Sequence, residues 1–255
     1  MKLALFLALA ACGRSEPAAV EPPTRIESPP IAGPTLLAHV PEAIVGIVDD
    51  WSSTKATLTR WRRANGSWTK VGESWLAVVG KSGIAWGDGL HGSGAAGRTG
   101  PVKREGDGKS PAGVFAIGPS YGYATTAPSG SKLAYSAVDE AWKCVDDPKS
   151  KQYNRVLDQK TAAVDWTSAE EMKRTDELYE WVVDIAHNAK RVPGHGSCIF
   201  FHVWSGPEGA TVGCTAMAKP VLAELIATLD PNAVFVLLPK AEYTATALGW
   251  DLPPI

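Results

Sequence analysis

The feature that most constrains the fold of this chain is a series of short runs, rich in β-branched and aromatic residues, that turn residues separate. Asn65-Gly66 lies between two such runs, one with Trp61 and the other with Trp68. An Asn-Gly pair favours the positive φ angles of a two-residue turn and so predicts a β-hairpin here. Comparable runs fill residues 42–50, 57–69, 74–81 and 83–86. The pattern predicts a mainly β fold with a few helices.

Two segments carry helical signals. Pro220 suits the first turn of a helix, and the segment after it ends at Asp230-Pro231. Apolar residues recur in it at helical spacing: Val221, Leu222, Leu225, Ile226 and Leu229. Ser168 and Glu171 fit a capping box, which predicts a short helix through Met172 and Leu178. Buried strands are expected at residues 181–188 and 233–238.

Net charge argues against a nucleic-acid ligand, and the context of a glycine motif argues against a dinucleotide. With 25 basic and 27 acidic residues, the net charge of -2 offers no electrostatic basis for binding nucleic acid. Gly92, Gly94 and Gly97 have the spacing of a dinucleotide-binding motif, but no helical period begins after them. We therefore expect no nucleic-acid partner and no cofactor.

The amino terminus has the plan of an export signal. A charged start, Met1-Lys2, precedes an apolar run that is too short to span a bilayer and ends in small residues. The sequence up to Cys12 resembles the bacterial lipobox, so residues 1–11 are predicted to be a lipoprotein signal peptide and Cys12 the lipidated residue. Gly13 follows in place of Asp, which favours sorting to the outer membrane. We expect a periplasmic protein whose only membrane contact is its lipid anchor.

Residues 12–41 are rich in proline and show little apolar periodicity. Such a segment buries too little surface to fold, and its prolines keep it extended. It is predicted to tether the anchor to a domain that spans residues 42–255.

The strongest chemical signal is an apolar strand that ends near His202 and is followed, after a polar loop, by Thr211-Val212-Gly213-Cys214. A thiol on a glycine-marked turn beside a histidine is a common arrangement for a cysteine nucleophile and its base. Backbone amides at Gly213 and Cys214 are candidate oxyanion donors. Strand alternation places Phe200 and His202 on one face, and a histidine between aromatic residues is equally typical of a hydrogen-bonded core.

Cysteine usage is consistent with an oxidising compartment. With Cys12 in the targeting segment, three cysteines remain: Cys144, Cys198 and Cys214. If the compartment is oxidising, two of them can form a disulfide and the third stays free, and nucleophilic chemistry would need the free one.

Several motifs together resemble the YkuD/ErfK family of L,D-transpeptidases, over about residues 75–239. The matching segments are Gly106-Asp107-Gly108-Lys109-Ser110-Pro111-Ala112-Gly113-Val114-Phe115, Val145-Asp146-Asp147-Pro148, Tyr153-Asn154, Ser168-Ala169-Glu170, His187-Asn188, Gly196-Ser197-Cys198-Ile199-Phe200-Phe201-His202 and Thr211-Val212-Gly213-Cys214. The resemblance implies a YkuD-like mixed β-sheet sandwich as the catalytic domain. It also implies acyl transfer on peptidoglycan stem peptides through a thioester.

By residue, the resemblance assigns the nucleophile to Cys214 and the base or thiolate-stabilising partner to His202. It also implies a disulfide between Cys144 and Cys198. The sequence departs from the familiar motif in a shorter loop after His202, in Val212 where a histidine often stands, and in Ala216 where Asn or Arg often stands. It therefore resembles a divergent branch.

Three alternatives remain beside L,D-transpeptidation. With water as the acyl acceptor, the protein would be an L,D-carboxypeptidase. A zinc hydrolase would use His187, His195, His202 and a cysteine, although their spacing matches no familiar metal pattern, and we expect no metal. A lipid-tethered module that binds the cell wall without catalysis would keep only the fold.

Overall fold

The computed structural model describes residues 35–94 and 97–255. Within them, thirteen strands and two helices follow one another along the chain. The strands are β1 (Glu42–Val48), β2 (Lys55–Ala64), β3 (Ser67–Val78), β4 (Ile84–Trp86), β5 (Ser110–Gly122), β6 (Tyr135–Ala137), β7 (Trp142–Val145), β8 (Val156–Asp158), β9 (Ala169–Glu171), β10 (Val182–Ile185), β11 (Phe200–Val203), β12 (Thr215–Met217) and β13 (Val234–Pro239). The helices are α1 (Lys219–Thr228) and α2 (Lys240–Trp250). The prediction of a mainly β fold with a few helices is confirmed.

Most of the strands belong to one sheet that closes on itself. Its strand order is β10-β11-β12-β3-β2-β1-β13-β5, and β5 also pairs with β10. Strands β4 and β6 pair with β5 in addition. Eight strands thus form a barrel-like ring, while β8, β7 and β9 form a small separate sheet.

Local signals in the sequence locate two elements correctly. Asn65 and Gly66 form the turn between β2 and β3 with φ angles of 51° and 80°, as a two-residue hairpin turn requires. Helix α1 has Pro220 in its first turn and buries Leu222 and Leu225 among other residues. The predicted hairpin and this helix are therefore both confirmed.

The helix predicted from the capping box at Ser168 is wrong. The segment forms β9, in which Glu170 pairs with Cys144 of β7, and turns and bends follow it over residues 172–181. The strand prevails because β9 gains a partner in β7 and because the Tyr179 hydroxyl donates a hydrogen bond to the Glu170 carboxylate. A local capping pattern does not contain these contacts, and tertiary context overrides it.

Two further differences lie at the ends of the domain. Leu37, which the sequence assigns to the proline-rich tether, is fully buried, and its amide donates to the Trp250 carbonyl at 3.1 Å. The packed region therefore begins before residue 42, because an apolar side chain near the end of the tether reaches the core. Trp250 belongs to α2, a helix that the sequence patterns did not predict. The signal peptide, Cys12 and residues 12–34 of the tether lie outside the described residues.

The core has two parts, and β11 contributes to both. Ile199, Phe201 and Val203 face the large apolar core inside the ring, whereas Phe200 faces a smaller cluster that also contains Cys144, Cys198 and Cys214. The alternation predicted for this strand is thereby confirmed. Among the described residues, neither helix is long and apolar enough to cross a membrane.

Candidate active site

Cys214 lies near the first residues of β11 and β12, which are parallel to each other. It directly precedes β12, and because Thr215 pairs with Phe201 of β11, Cys214 lies beside Phe200. The Phe200 amide donates to Sγ at 3.4 Å, and the thiol donates to the Cys198 carbonyl at 3.4 Å. Two backbone contacts therefore orient the sulfur atom.

Hydroxyl groups fix the turn before the thiol. Thr211 Oγ1 and Ser110 Oγ donate to the Cys214 carbonyl at 2.6 and 2.7 Å. The Gly213 amide donates to Thr211 Oγ1 at 3.2 Å. This amide, expected from the sequence to be an oxyanion donor, is thus hydrogen-bonded within the turn.

A disulfide braces the segment next to the thiol. Cys144 and Cys198, the pair that the resemblance implies, are joined with their Cα atoms 5.9 Å apart, and Cys214 is free. Cys198 has a φ angle of 55°, and its amide donates to Asn154 Oδ1 at 3.0 Å. The carbonyl that accepts the thiol hydrogen is therefore held by a covalent bond and a side-chain contact.

His202 follows Phe200 by two residues on β11, and one of its ring nitrogens is engaged by the backbone. Its Nδ1 is 2.7 Å from the Val203 carbonyl, so Nδ1 carries the hydrogen, and its ring packs edge-on against Tyr179 with centroids 5.2 Å apart. The strand register pairs it with Ala216. Within the described part of the chain, no hydrogen bond joins His202 to Cys214.

Tyr179 and Glu170 are polar neighbours of the thiol that sequence reasoning missed. The Tyr179 hydroxyl donates to Glu170 Oε1, and its ring belongs to the same buried cluster as Cys214. The Tyr179 ring stacks edge-on with Phe200 at 6.0 Å, and the Arg174 guanidinium lies 5.3 Å from its centroid. Tyr179 lies in no motif of the sequence, and Glu170 lies in a segment quoted for the resemblance but without an assigned role.

Burial keeps the thiol and the histidine neutral. Desolvation, followed by the negative charge of Glu170, raises the pKa of Cys214 to about 12, while the Phe200 amide, Tyr179 and Lys103 act in the opposite direction. Desolvation lowers the pKa of His202 to about 4. Near neutral pH, neither group carries a charge in this arrangement.

A cleft of about 360 Å³ gives access to the thiol. Residues from several loops line it, among them Lys103, Glu105, Glu170, Ser197, Val212 and Cys214. Val212 is 68% exposed, so the residue that departs from the familiar motif lies at the surface of this cleft. A peptide entering it would meet both charged and apolar groups.

Internal contacts hold the loop that forms one wall of the cleft. Lys103 Nζ donates to Asp107 Oδ1 at 2.5 Å. The Glu105 carboxylate accepts hydrogen bonds from Tyr153 and, at 2.7 Å, from Ser197. The charged loop that contains Lys103 and Glu105 is therefore attached to the segment that leads into β11.

The other histidines do not join His202 in a metal site. His187 Nε2 is 2.9 Å from the His195 carbonyl, and His195 Nδ1 is 2.7 Å from Asp88 Oδ2. In residues 35–94 and 97–255, no three His, Cys, Asp or Glu side chains are grouped to hold a metal ion. The geometry offers no support for the zinc hydrolase alternative.

No family model matches the chain, and neither a curated protein nor a solved structure is significantly similar to it.

Proposed function

We propose that this protein is a peptidoglycan L,D-transpeptidase that transfers an acyl group through a thioester on Cys214. The observation that carries the proposal is a free thiol, oriented by two backbone contacts, on the wall of a cleft of about 360 Å³. Five of the segments that carry the resemblance to the YkuD/ErfK family contribute residues to the lining of this cleft, namely residues 106–115, 145–148, 168–170, 196–202 and 211–214. A YkuD-like sandwich for residues 42–255 is part of the same proposal.

The chemistry would have two halves. The Cys214 thiolate attacks the carbonyl carbon of a stem-peptide amide, a C–S bond forms, the C–N bond breaks, and the departing D-amino acid takes up a proton. An acceptor amine then attacks the thioester, loses a proton, and displaces the thiolate, which takes up a proton again. The resemblance assigns the base to His202 and the oxyanion donors to the amides of Gly213 and Cys214.

The amino-terminal signals complete the proposal. Cleavage after residue 11 and lipidation of Cys12 would anchor the protein in the periplasm at the outer membrane. A tether would then let the domain reach stem peptides, its proposed partners.

Incubation of the protein with disaccharide tetrapeptides tests the reaction. We expect a thioester on Cys214 by intact mass and cross-linked products by chromatography, both absent in Cys214→Ala. Products formed only by hydrolysis, even with an amine acceptor in excess, would identify an L,D-carboxypeptidase. Full activity of Cys214→Ala would falsify the proposal.

One observation favours a second candidate, a module that binds the wall without catalysis. The pKa of the Cys214 thiol is raised to about 12 by burial, so the thiol is protonated at neutral pH. Under this candidate, isolated cell-wall sacculi would retain the protein and its Cys214→Ala variant equally, and no thioester would form.

A further inference from the structure

We propose that a second cleft, which contacts the Cys144 end of the disulfide, binds an α-amino acid whose ammonium and carboxylate groups are both free. In this site the Asp184 carboxylate receives the ammonium group, and the guanidinium groups of Arg155 and Arg191 receive the carboxylate. The inference concerns binding alone and does not depend on acyl transfer at Cys214.

The second cleft is separate from the one that gives access to the thiol. Its volume is about 590 Å³, which is ample for a small ligand. Cys144 lines it, whereas Cys198, the disulfide partner of Cys144, lines the thiol cleft. Among the described residues, the two clefts have no lining residue in common. The disulfide therefore lies between two neighbouring places where a ligand can bind.

Asp184 lies in the same row of side chains as the thiol. It pairs with Phe200 of β11, so the two side chains are on one face of the sheet. Cys214 lies beside Phe200 on the other side. Because neighbouring strands are about 4.8 Å apart, the positions of Asp184 and Cys214 are separated by about 10 Å, with Phe200 between them.

The Asp184 carboxylate is half-buried and has no partner. Within residues 35–94 and 97–255, its side chain takes part in no hydrogen bond and no ion pair. It packs closely against β5, where a Cβ at Gly118 would lie 2.5 Å from Oδ2. Burial raises its pKa to about 7 against the charge of Arg191, and burial followed by the charge of Asp184 raises the pKa of Tyr121 to about 12. An ammonium group bound here would supply the missing opposite charge.

Two guanidinium groups line the same cleft without a bound carboxylate. Arg155 directly precedes β8, and Arg191 lies in the loop after β10; both are exposed. In the part of the chain that the structure describes, neither side chain forms an ion pair or a hydrogen bond. A guanidinium group can bind a carboxylate through two parallel hydrogen bonds. The exposed arginines therefore offer sites for the carboxylate of a ligand whose ammonium group lies at the more buried Asp184.

The loop that carries Arg191 is held in an uncommon conformation. Arg191 has a φ angle of 56°, which few residues other than glycine adopt. Its amide donates to the Asn188 carbonyl at 2.7 Å, and the Val192 amide donates to Asn188 Oδ1 at 2.9 Å. Asn154, which also lines the cleft, donates from Nδ2 to the His187 and Asn188 carbonyls at 3.0 and 3.1 Å. The backbone at Arg191 is thus fixed before a ligand binds.

The lining of the cleft favours a ligand with charges of both signs and an aliphatic side chain. An anion alone would be repelled by Asp184, and a cation alone would be repelled by the two arginines. Apolar residues complete the wall: Pro119, Val156, Leu157, Ala162 and Ala163. A free amino acid such as leucine combines the two charges with a side chain that these residues can contact.

The test is isothermal titration calorimetry of the full chain with racemic leucine, without reductant and near pH 8, where the Asp184 carboxylate is ionised. Two analogues each lack one charge: isocaproate has no ammonium group, and isoamylamine has no carboxylate. We expect saturable binding of leucine and at least about tenfold weaker binding of each analogue, because each loses a hydrogen bond between charged groups. Absence of saturable leucine binding, or equal affinity for either analogue, would overturn the proposal.

Matched variants locate the ligand. Asp184→Asn keeps the shape of the side chain and should bind leucine no better than isocaproate. Arg155→Gln with Arg191→Gln should bind leucine no better than isoamylamine, and because both arginines are exposed, this pair tests the site without disturbing the core. Asp230→Asn and Arg104→Gln, which lie outside the cleft, should match the unmodified protein. Leucine binding that persists in both the Asp184 and the arginine variants would reject the site.

Binding of leucine is measured without peptidoglycan, so this proposal and the transferase proposal fail separately. Thioester formation from tetrapeptides without leucine binding would reject only the amino-acid site. Leucine binding with the expected loss in the variants, but without any thioester, would reject only the transferase.

Discussion

The carbonyl oxygen of Cys198 accepts the thiol hydrogen of Cys214 at 3.4 Å, although the two cysteines are 16 positions apart in the sequence. Cys198 is itself joined to Cys144 by a disulfide. The orientation of the only free cysteine in the described part of the chain therefore depends on a bond between the other two.

Loss of this disulfide should lower the free energy of unfolding and change the reactivity of the Cys214 thiol. We expect Cys144→Ser with Cys198→Ser to reduce the free energy of unfolding by about 2–5 kcal/mol, measured by urea denaturation in a Cys214→Ala background that prevents thiol exchange. With Cys214 present, alkylation of the paired variant should have an altered pH profile. Unchanged stability and profile would show that the bond has no such role.

Substitution by alanine should have opposite effects on stability at Gly66, in a turn, and at Gly249, in a helix. Gly66 has a φ angle of 80°, whereas a Cβ at Gly249 in α2 would meet no atom within 4 Å. We expect Gly66→Ala to destabilise the protein by about 1–2 kcal/mol and Gly249→Ala to stabilise it by about 0.4–1 kcal/mol. Thermal and urea denaturation measure both, and the same sign for the two variants would contradict this reasoning.

A buried ion pair connects β1 and β2. Arg60 Nε lies 2.7 Å from Glu42 Oε1, with side chains 9% and 2% exposed. Removal of one partner leaves an uncompensated buried charge, so Glu42→Gln should cost about 3–5 kcal/mol. Asp139→Asn, which breaks the exposed pair with Lys160, is the control and should cost much less, because water screens an exposed pair. If urea denaturation shows similar losses of unfolding free energy in Glu42→Gln and Asp139→Asn, burial does not distinguish the two ion pairs.

Buried His187 should make stability depend on pH. Desolvation lowers its pKa to about 4 from 6.5, so between these values the unfolded chain binds a proton that the folded protein does not. Its contribution therefore makes stability rise with pH through this window and fall on acidification.

His187→Gln should remove this contribution. Asp184, whose pKa burial raises to about 7, contributes the opposite slope in both proteins and cancels from their difference. Urea denaturation from pH 4 to 7 should give the unmodified protein a steeper rise, by up to about 1.4 kcal/mol per pH unit. Parallel curves would mean that His187 does not bring about the pH dependence.

The sequence predicted elements whose causes are local. Asn65-Gly66 determines its turn through backbone preference alone, and Pro220 with the apolar residues after it specifies α1. Ser168 and Glu171 have an equally clear local pattern, but pairing of β9 with β7 overrides it. Pairing with a strand that is distant in sequence therefore outweighs the local helix propensity.

The residues of the candidate site likewise include some that a local sequence pattern identifies and some that it does not. Cys214 stands out because its glycine-marked turn is a local pattern. Tyr179 carries no such mark, and the motif that contains Glu170 assigns it no role, since the hydrogen bond between them joins separate parts of the chain. His202 stands out in the same local pattern, whereas its contacts with the Val203 carbonyl and the Tyr179 ring depend on packing that the sequence does not display.

Closure of the ring bears on how a substrate is recognised. Because β11 and β12 each have a neighbour on both sides, their main-chain donors and acceptors are occupied, and an extended peptide cannot join the sheet there as an additional strand. Recognition next to Cys214 must then come from side chains and loop amides. Selectivity among substrates can therefore change by substitution in the loops without any rearrangement of the strands.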